Sequence, residues 1–334
     1  MLNRTEQEIM KNWKGDLSKP LVSVCTITYN HEKYIAEAID GFLMQETNFP
    51  FEILIDDDCS PDNTAEIVKE YQNKYPNIIK ARLRDKNVGA MVNFIENMSR
   101  ANSRYIALCE GDDYWIDSQK LQIQINEMKK YPDVNISFHP AYELIDGKKR
   151  NVLAGHSKEN KIFTTSEVIL GDGGFMPTAS LVVKKEIVDN LPEWFHKDAP
   201  VGDYFIQIFG AKKAGALYIN RVMGIYRIQH IESWSHSIKN ENNKIMFVEK
   251  MQKVMKNLDE ELNHKYFSEI EQWIKKYAWG IILNRNISIQ AKKPFYNKNR
   301  TNYSTKQKLQ WFAVFSNPNV DKILRFFYDI VRGR

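Results

Sequence analysis

Short apolar runs and amphipathic segments alternate through the first part of the chain. The apolar runs are rich in β-branched residues, and their length and composition predict strands buried on both faces. They read LVSVCTI (21–27), FEILI (51–55), IIKARL (78–83) and RYIALC (104–109). The segments between them place apolar residues three or four positions apart, which predicts helices. Strands that alternate with helices imply a mostly parallel, right-handed α/β sheet.

The same alternation continues further along the chain and then gives way to helical spacing. The segment 145–175 is polar and contains glycine, and we predict an excursion or flap there. From about Ile238 onward, apolar residues recur at helical spacing. The predicted elements between these points are a helix over 120–131, β structure over 134–144, a strand over 180–185, a helix over 202–214 and β structure over 216–228.

Acidic residues follow two of the predicted strands. Asp56–Asp58 come after the second strand, and EGDD (110–113) comes after the fourth. In open α/β sheets, ligands bind at the carboxyl ends of the strands. Carboxylates there can hold Mg²⁺ or Mn²⁺, and such a cation can bridge a nucleotide diphosphate. The alternative is two solvated turns; the occurrence of both acidic groups together favours a site.

Composition and cysteine usage restrict the class of protein. The 334 residues suffice for one large domain, or for a domain with a smaller appendage. The three cysteines are widely spaced and form no CxxC pair, which predicts a reduced chain without a disulfide framework or structural zinc. We find neither the apolar core of a signal peptide nor the ~20 apolar residues of a membrane span. A cytoplasmic location is therefore expected.

The charge is unevenly distributed along the chain. The net charge is +5, but 280–334 contains 11 Lys/Arg and 2 Asp/Glu, so this region carries +9 and the remainder −4. Residues 304–331 have apolar residues at helical spacing among the basic ones. Such a helix can lie in a membrane interface, here the inner face of the cell membrane, or it can pack on the catalytic domain or on a second subunit. No nucleic-acid-reading motif accompanies the charge.

Four stretches of the sequence resemble one known family in their order and spacing. They are LVSVCTITYNHEKYIAEAIDGFLMQ, FEILIDDDCSPDNT, NVGAMVNF and ALCEGDDYWIDSQKLQ. This set resembles family 2 glycosyltransferases, closely over residues 20–145 and more loosely to about 236. The resemblance implies the GT-A fold, with a mainly parallel central sheet followed by a helical C-terminal region. It also implies an N-terminal extension (1–20), a catalytic domain (21–236) and a basic helical region (237–334).

The resemblance assigns the nucleotide-binding residues to three loops. The loop after the first strand is expected beside the base, and this chain has Ile27 where many members have proline. Asp58 resembles the carboxylate that binds the base, Asp57 is expected to order its loop, and Asn87 belongs to a turn over the nucleotide. The residues of the first loop are Thr26, Ile27, Thr28, Tyr29 and Asn30.

Glu110-Gly111-Asp112 resembles the DxD motif of the family. The resemblance makes Asp112 the direct ligand of Mn²⁺ or Mg²⁺, and it places Glu110 toward the ribose or a metal-bound water. Glutamate at the first position departs from the commonest pattern. Asp113 is expected to support the motif, and Trp115 is interpreted as a packing residue because of its large apolar surface.

The remaining implied roles fall late in the catalytic domain. Asp203 resembles the acid that takes the proton of the acceptor hydroxyl. The alternative is a helix N-cap, and Asp198 is a weaker candidate for the base. Arg227 suits a phosphate as a planar donor. His230 would donate to phosphate or complete the metal shell, or it is purely structural.

Together these features predict an inverting glycosyltransferase that takes a sugar from a nucleotide-diphosphate donor, with a UDP-sugar favoured. The acceptor is a hydroxyl of a glycan, lipid-linked glycan or protein, in cell-surface polysaccharide or glycan biosynthesis. One alternative is a non-catalytic GT-A-like scaffold. Another is a sugar nucleotidyltransferase, for which TYNHEKY (28–34) lacks the expected Gly-rich loop. A homo-oligomer is compatible with the sequence.

Overall fold

The computed structural model describes residues 4–228, 240–284 and 286–316. The chain divides into two compact units, Met1–Glu232 and Ser233–Arg334. The first unit contains mixed α/β structure and carries the predicted site, whereas the second is helical.

The predicted strands and helices of the first unit are present with small shifts of their ends. The strands are β1 (Val22–Thr28), β2 (Phe51–Asp57), β3 (Ile79–Leu83), β4 (Tyr105–Leu108), β5 (Tyr114–Trp115), β6 (Ile136–Phe138), β7 (Ala141–Ile145), β8 (Lys148–Leu153), β9 (Lys161–Phe163), β10 (Val182–Lys184), β11 (Ala216–Tyr218) and β12 (Gly224–Arg227). The helices are α1 (Glu6–Met10), α2 (Ile35–Leu43), α3 (Thr64–Lys74), α4 (Ala90–Ser99), α5 (Lys120–Lys130), α6 (Thr165–Gly171), α7 (Lys185–Asp189), α8 (Glu193–Asp198) and α9 (Asp203–Ala211).

The central sheet contains eight strands in the order β3-β2-β1-β4-β10-β6-β11-β9. Strands β3, β2, β1 and β4 run parallel to one another, whereas β10 is antiparallel to β4 and β6, and β9 is antiparallel to β11. In the register of β1 and β2, Thr28 lies opposite Asp57. The carboxyl ends of the first strands therefore meet at one edge, as predicted.

A second, four-stranded sheet with the order β5-β12-β7-β8 stands beside this edge. It pairs β12 with the short strand β5, which follows directly on the acidic loop. The segment 145–175, predicted to be an excursion or flap, holds β8, β9 and α6. β8 is exposed along most of its length, and among the described residues it pairs with β7 alone. An edge strand of this kind tolerates polar residues, so its sequence lacks the apolar pattern that predicts a strand.

The core forms where the apolar faces of the helices cover the sheet. On α2, the apolar residues at helical spacing are all fully buried, and they are Ile35, Ile39, Phe42 and Leu43. The ring of Trp115 packs edge-on against Phe42 at 4.8 Å between centroids, which confirms its packing role.

The second unit consists of helices in its described residues. They are α10 (Glu241–Glu261), α11 (Phe267–Leu283), α12 (Ile289–Asn299) and α13 (Thr305–Ser316). On α13, Trp311 is buried, whereas Leu309 and Phe312 are 67% and 70% exposed. The rest of the predicted amphipathic tail lies outside the described residues. In the part of the chain that the structure describes, no helix combines the length and the apolar character needed to cross a bilayer.

Candidate active site

The acidic loop after β4 is held against the end of β1. The backbone N–H of Gly111 donates to the carbonyl of Ile27 at 3.0 Å, and the N–H of Asp113 donates to the carbonyl of Glu110 at 3.1 Å. A Cβ atom on Gly111 would lie 2.8 Å from Oγ1 of Thr28. Glycine thus allows the loop to approach β1 closely and fixes where Glu110 and Asp112 are presented.

Four carboxyl groups from two distant parts of the sequence converge here. Burial, together with the charges of Asp112 and Asp203, raises the pKa of Glu110 to about 8. Burial and the charge of Asp112 also raise the pKa of Asp113, whose Oδ1 accepts the backbone N–H of Arg227 at 2.8 Å. Glu110 therefore senses the charge of Asp203, which lies more than 90 positions further along the sequence.

Asp203 is the first residue of α9, and both of its carboxylate oxygens accept a hydrogen bond. Oδ2 accepts the hydroxyl of Thr178 at 2.8 Å, and Oδ1 accepts the backbone N–H of Tyr204 at 2.8 Å. The N-cap position is occupied by Gly202, so Asp203 is not the capping residue. Burial raises the pKa of Asp203, while these hydrogen bonds oppose the rise. The alternative candidate, Asp198, ends α8.

Residues of the loop after β2 hold the loop after β1 in place. The carboxylate of Asp57 accepts both the backbone N–H of Ser60, at 3.0 Å, and the hydroxyl of Ser60. The hydroxyl of Ser60 in turn accepts the N–H of Asn30, which adopts a positive φ of 59°. Asp57 therefore orders the turn through Ser60. Thr26 and Thr28 are buried, Ile27 is half-buried and Tyr29 is exposed.

Asp58 organises the turn at 87–89. Its Oδ1 accepts the N–H of Val88 at 2.8 Å, and its Oδ2 accepts the N–H of Gly89 at 2.9 Å. The side-chain amide of Asn87 donates to the backbone carbonyl of Asp58 at 3.0 Å. The sequence-predicted pair Asp58 and Asn87 is thus brought together. Each carboxylate oxygen has a second lone pair, so Asp58 can still accept an N–H from a base.

Arg227 ends β12 with its guanidinium between two aromatic rings. The guanidinium carbon lies 4.9 Å from the ring centroid of Tyr34 and 4.7 Å from that of Tyr114. Nη2 forms an ion pair with Glu37. The side chain is only 9% exposed, and Nε and Nη1 are buried without a hydrogen-bond partner among the described residues. Such donors suit an anion. His230, the other predicted residue of this stretch, lies outside the described residues.

Sequence reasoning missed Tyr226 and Thr178. The pKa of Tyr226 is raised first by burial and then by the charges of Asp113, Glu110, Asp112 and Asp203. Thr178 lies in the Gly-rich segment 171–180, and no sequence signal links it to Asp203.

The acidic loop fits a divalent cation by its donor chemistry. Carboxylate oxygens are the ligands that Mg²⁺ and Mn²⁺ prefer, and the mutual repulsion of Glu110, Asp112 and Asp113 would be relieved by a positive ion. Across the described ranges, no three His, Cys, Asp or Glu side chains are arranged as a metal centre on their own.

Residues 23–191 match the family model described as Glycosyl transferase family 2. The chain belongs to this family. The resemblance drawn from the four sequence stretches is therefore confirmed.

Individual proteins are also similar to this chain over part of its length. Uncharacterized protein Rv1520 of Mycobacterium tuberculosis is 34% identical over 220 residues, covering 65% of this chain and 61% of the relative. The chain thus spans less than two thirds of the length of the curated relatives it matches first.

Two solved structures share the fold. Staphylococcus aureus TarS 1–349 in complex with UDP-GlcNAc superposes with a TM-score of 0.60 at 18% identity, over 87% of this chain and 78% of TarS. The mannosyltransferase PcManGT of Pyrobaculum calidifontis, in complex with GDP-Man and Mn²⁺, has a TM-score of 0.51 at 13% identity, over 89% and 80% of the two chains. The predicted GT-A fold is confirmed.

Proposed function

We propose that this protein is an inverting, metal-dependent glycosyltransferase that moves a sugar from a nucleotide-diphosphate donor to an acceptor hydroxyl. The observation that carries the proposal is the convergence of the acidic loop after β4 with Asp203 at the carboxyl edge of the sheet. Within glycosyl transferase family 2, this convergence supplies the two needs of the reaction, a place for the diphosphate and a base for the acceptor.

The acidic loop and Arg227 share the binding of the diphosphate in this proposal. Asp112 holds Mn²⁺ or Mg²⁺, with His230 as a second predicted ligand, and Glu110 faces the ribose. The bound cation supplies positive charge that stabilises the departing nucleotide diphosphate. The two buried donors of Arg227, Nε and Nη1, bind a phosphate oxygen. Support for the cation comes from the acidic donor set and from the Mn²⁺ in the PcManGT complex.

Asp203 acts on the acceptor. The acceptor oxygen attacks the anomeric carbon, its proton passes to the carboxylate of Asp203, and the bond between the anomeric carbon and the phosphate oxygen breaks. The single displacement inverts the anomeric centre and leaves no sugar attached to the enzyme. A carboxylate whose pKa is raised by burial is a stronger base than an exposed one, which suits this task.

A UDP-sugar is the proposed donor. Asp58 retains lone pairs that can accept the N–H of uracil, and the loop 26–30 lies at the end of the neighbouring strand. TarS in complex with UDP-GlcNAc supports this choice, whereas PcManGT in complex with GDP-Man shows that the fold also accommodates guanine. The proposed acceptor is a hydroxyl of a cell-surface polysaccharide, lipid-linked glycan or protein.

We also propose that the C-terminal unit contacts the membrane surface. Leu309 and Phe312 are exposed on α13, and Lys306 and Lys308 share this helix. Exposed apolar side chains among basic ones favour the interface of an anionic bilayer.

The reaction class is tested by the release of nucleotide diphosphate from a panel of UDP-, dTDP- and GDP-sugars in the presence of Mn²⁺. We expect release from one donor, and its loss in Asp112→Ala and Asp203→Asn. Asp133→Asn is the matched control, because Asp133 forms an exposed ion pair with Lys213 on the surface. Unchanged release in Asp112→Ala would contradict the metal role. Absence of both release and nucleotide binding would favour the scaffold alternative.

A further inference from the structure

A short 3₁₀ turn, Thr178–Ser180, lies between the acidic loop and Asp203. The hydroxyl of Thr178 donates to Oδ2 of Asp203 at 2.8 Å. The carbonyl of the next residue, Ala179, accepts the indole N–H of Trp115 at 2.8 Å. Trp115 follows the acidic loop by two positions. Two consecutive residues of one turn therefore contact Asp203 on one side and Trp115, next to the acidic loop, on the other.

The turn itself is firmly held. The hydroxyl of Ser180 donates to the carbonyl of Pro177 at 2.6 Å, and the side-chain amide of Gln124 donates to the carbonyl of Ser180 at 2.9 Å. Ala179 and Ser180 are fully buried. The chain then enters the sheet, where the N–H of Leu108 donates to the carbonyl of Leu181 at 3.0 Å. The turn is thus anchored to the strand that carries the acidic loop.

The Trp115 end of this connection is equally constrained. The Trp115 ring packs against Phe42, and the ammonium group of Lys120 lies 4.0 Å from its ring centroid. A Cβ atom on Gly41 would lie 2.9 Å from the backbone carbonyl oxygen of Trp115, so helix α2 touches this backbone directly. With both ends packed, a shift of the turn would move Asp203 relative to the acidic loop.

We infer that Thr178 is a positioning residue for Asp203, and that the turn Thr178–Ser180 sets the place of this carboxylate relative to the acidic loop. The inference rests on the proposed function, in which Asp203 takes the proton of the acceptor. The hydroxyl of Thr178 fixes one carboxylate oxygen and the N–H of Tyr204 fixes the other, so the carboxyl group cannot rotate freely. The remaining lone pairs are left in one defined direction for the acceptor.

The charges around Asp203 show what the Thr178 hydroxyl contributes. Burial favours the neutral form of Asp203, and the hydrogen bond from Thr178 is the largest of the effects that oppose it. Glu110 interacts with Asp203 electrostatically, and Tyr226 lies close enough to sense its charge. The Thr178 donor therefore helps to keep Asp203 ionised and able to accept a proton.

The test compares Thr178→Val, which keeps the shape but removes the donor, with Thr178→Ser, which keeps the donor. Thr165→Val is the matched control, because the buried hydroxyl of Thr165 donates to the carbonyl of Ala211 at 2.8 Å, at the end of α9 opposite to Asp203. The first readout is the pH profile of nucleotide-diphosphate release. The second is the titration of the Asp203 carboxyl ¹³C signal, assigned by its loss in Asp203→Asn, which needs no turnover.

In Thr178→Val we expect the pKa of Asp203 to rise further, because the charged form loses one hydrogen bond. The acidic limb of the pH profile should shift upward equally, with kcat lowered about 10- to 100-fold and KM for the donor unchanged. Thr178→Ser and Thr165→Val should titrate like the wild type. An unchanged titration in Thr178→Val would overturn the inference.

The activity of Asp203→Asn distinguishes a failure of the inference about Thr178 from a failure of the proposed role of Asp203. If Asp203→Asn abolishes release while Thr178→Val behaves like the wild type, the inference alone fails. If Asp203→Asn releases nucleotide diphosphate at the wild-type rate, the proposed base is wrong and the inference falls with it.

Discussion

Substitution of Gly111 by alanine should displace the acidic loop. The added Cβ would lie 2.8 Å from Oγ1 and 2.9 Å from Cβ of Thr28, and 3.0 Å from Cδ1 of Ile35. Carbon atoms pack favourably at about 3.5–4.0 Å, so the loop or the end of β1 must move by roughly 0.5–1 Å. The hydrogen bond from the N–H of Gly111 to the carbonyl of Ile27 must stretch as it does so.

The size of the effect follows from this displacement. Overpacking of a close contact typically costs about 1–3 kcal/mol of the free energy of unfolding. A displacement near 1 Å in a catalytic arrangement can cost about 10²-fold in rate. Because Glu110 and Asp112 flank the substituted position, we expect kcat/KM for the donor to fall by a factor of this order, and more than the stability loss alone would explain.

The assay is nucleotide-diphosphate release at saturating Mn²⁺, with thermal unfolding followed in parallel. Gly155→Ala is the matched control, because its Cβ would meet only Cγ1 of Val152 at 3.5 Å. We expect Gly155→Ala to keep wild-type activity and stability. Wild-type kcat/KM in Gly111→Ala would refute the argument that this close approach positions the acids.

Three further predictions concern the sheet edge and the acid cluster. Asp56→Ala should lower the free energy of unfolding in urea by about 3 kcal/mol, because the buried carboxylate pairs with Arg82 and Arg100, and a change below about 1 kcal/mol would argue against this. The folded pKa of Glu110 lies at about 8, above its ordinary 4.5, so the metal-free protein should lose stability as the pH rises from 4.5 to 8. Glu110→Gln should therefore flatten the dependence of Tm on pH measured in EDTA. Tyr226→Phe should lower kcat/KM about 10-fold without changing Tm, since only the hydroxyl near the acids is removed; an equal loss of stability would indicate a structural role.

The parallel half of the fold could be predicted because its signals are local. Every residue of β2 is buried, its first five residues are apolar apart from Glu52, and the strand then ends in acids, while α2 shows the full spacing of a buried helix face. The second sheet could not be recognised in the same way. Its strand β5 has only two residues, and β8 is a polar edge strand, so neither carries a periodic pattern.

Site residues could be predicted where the residue type itself indicates a chemical role. They could not be predicted where only the folded structure brings two residues into contact. The acids of the 110–113 loop were singled out by their place after a predicted strand, and Asp203 by the family resemblance. The contact of Thr178 with Asp203 depends on a turn 25 positions earlier in sequence, and the contact of Glu37 with Arg227 spans 190 positions. Sequence spacing says nothing about pairs of this kind.

The central claim is that the acidic loop binds a nucleotide diphosphate through a divalent cation. The most direct measurement is calorimetric titration of UDP into wild-type protein, with Mn²⁺ or with EDTA, and into Asp112→Asn with Mn²⁺. We predict binding to the wild type with Mn²⁺, and its loss both in EDTA and in Asp112→Asn. Asp133→Asn should bind like the wild type. UDP binding of equal affinity in EDTA and in Asp112→Asn would contradict the account.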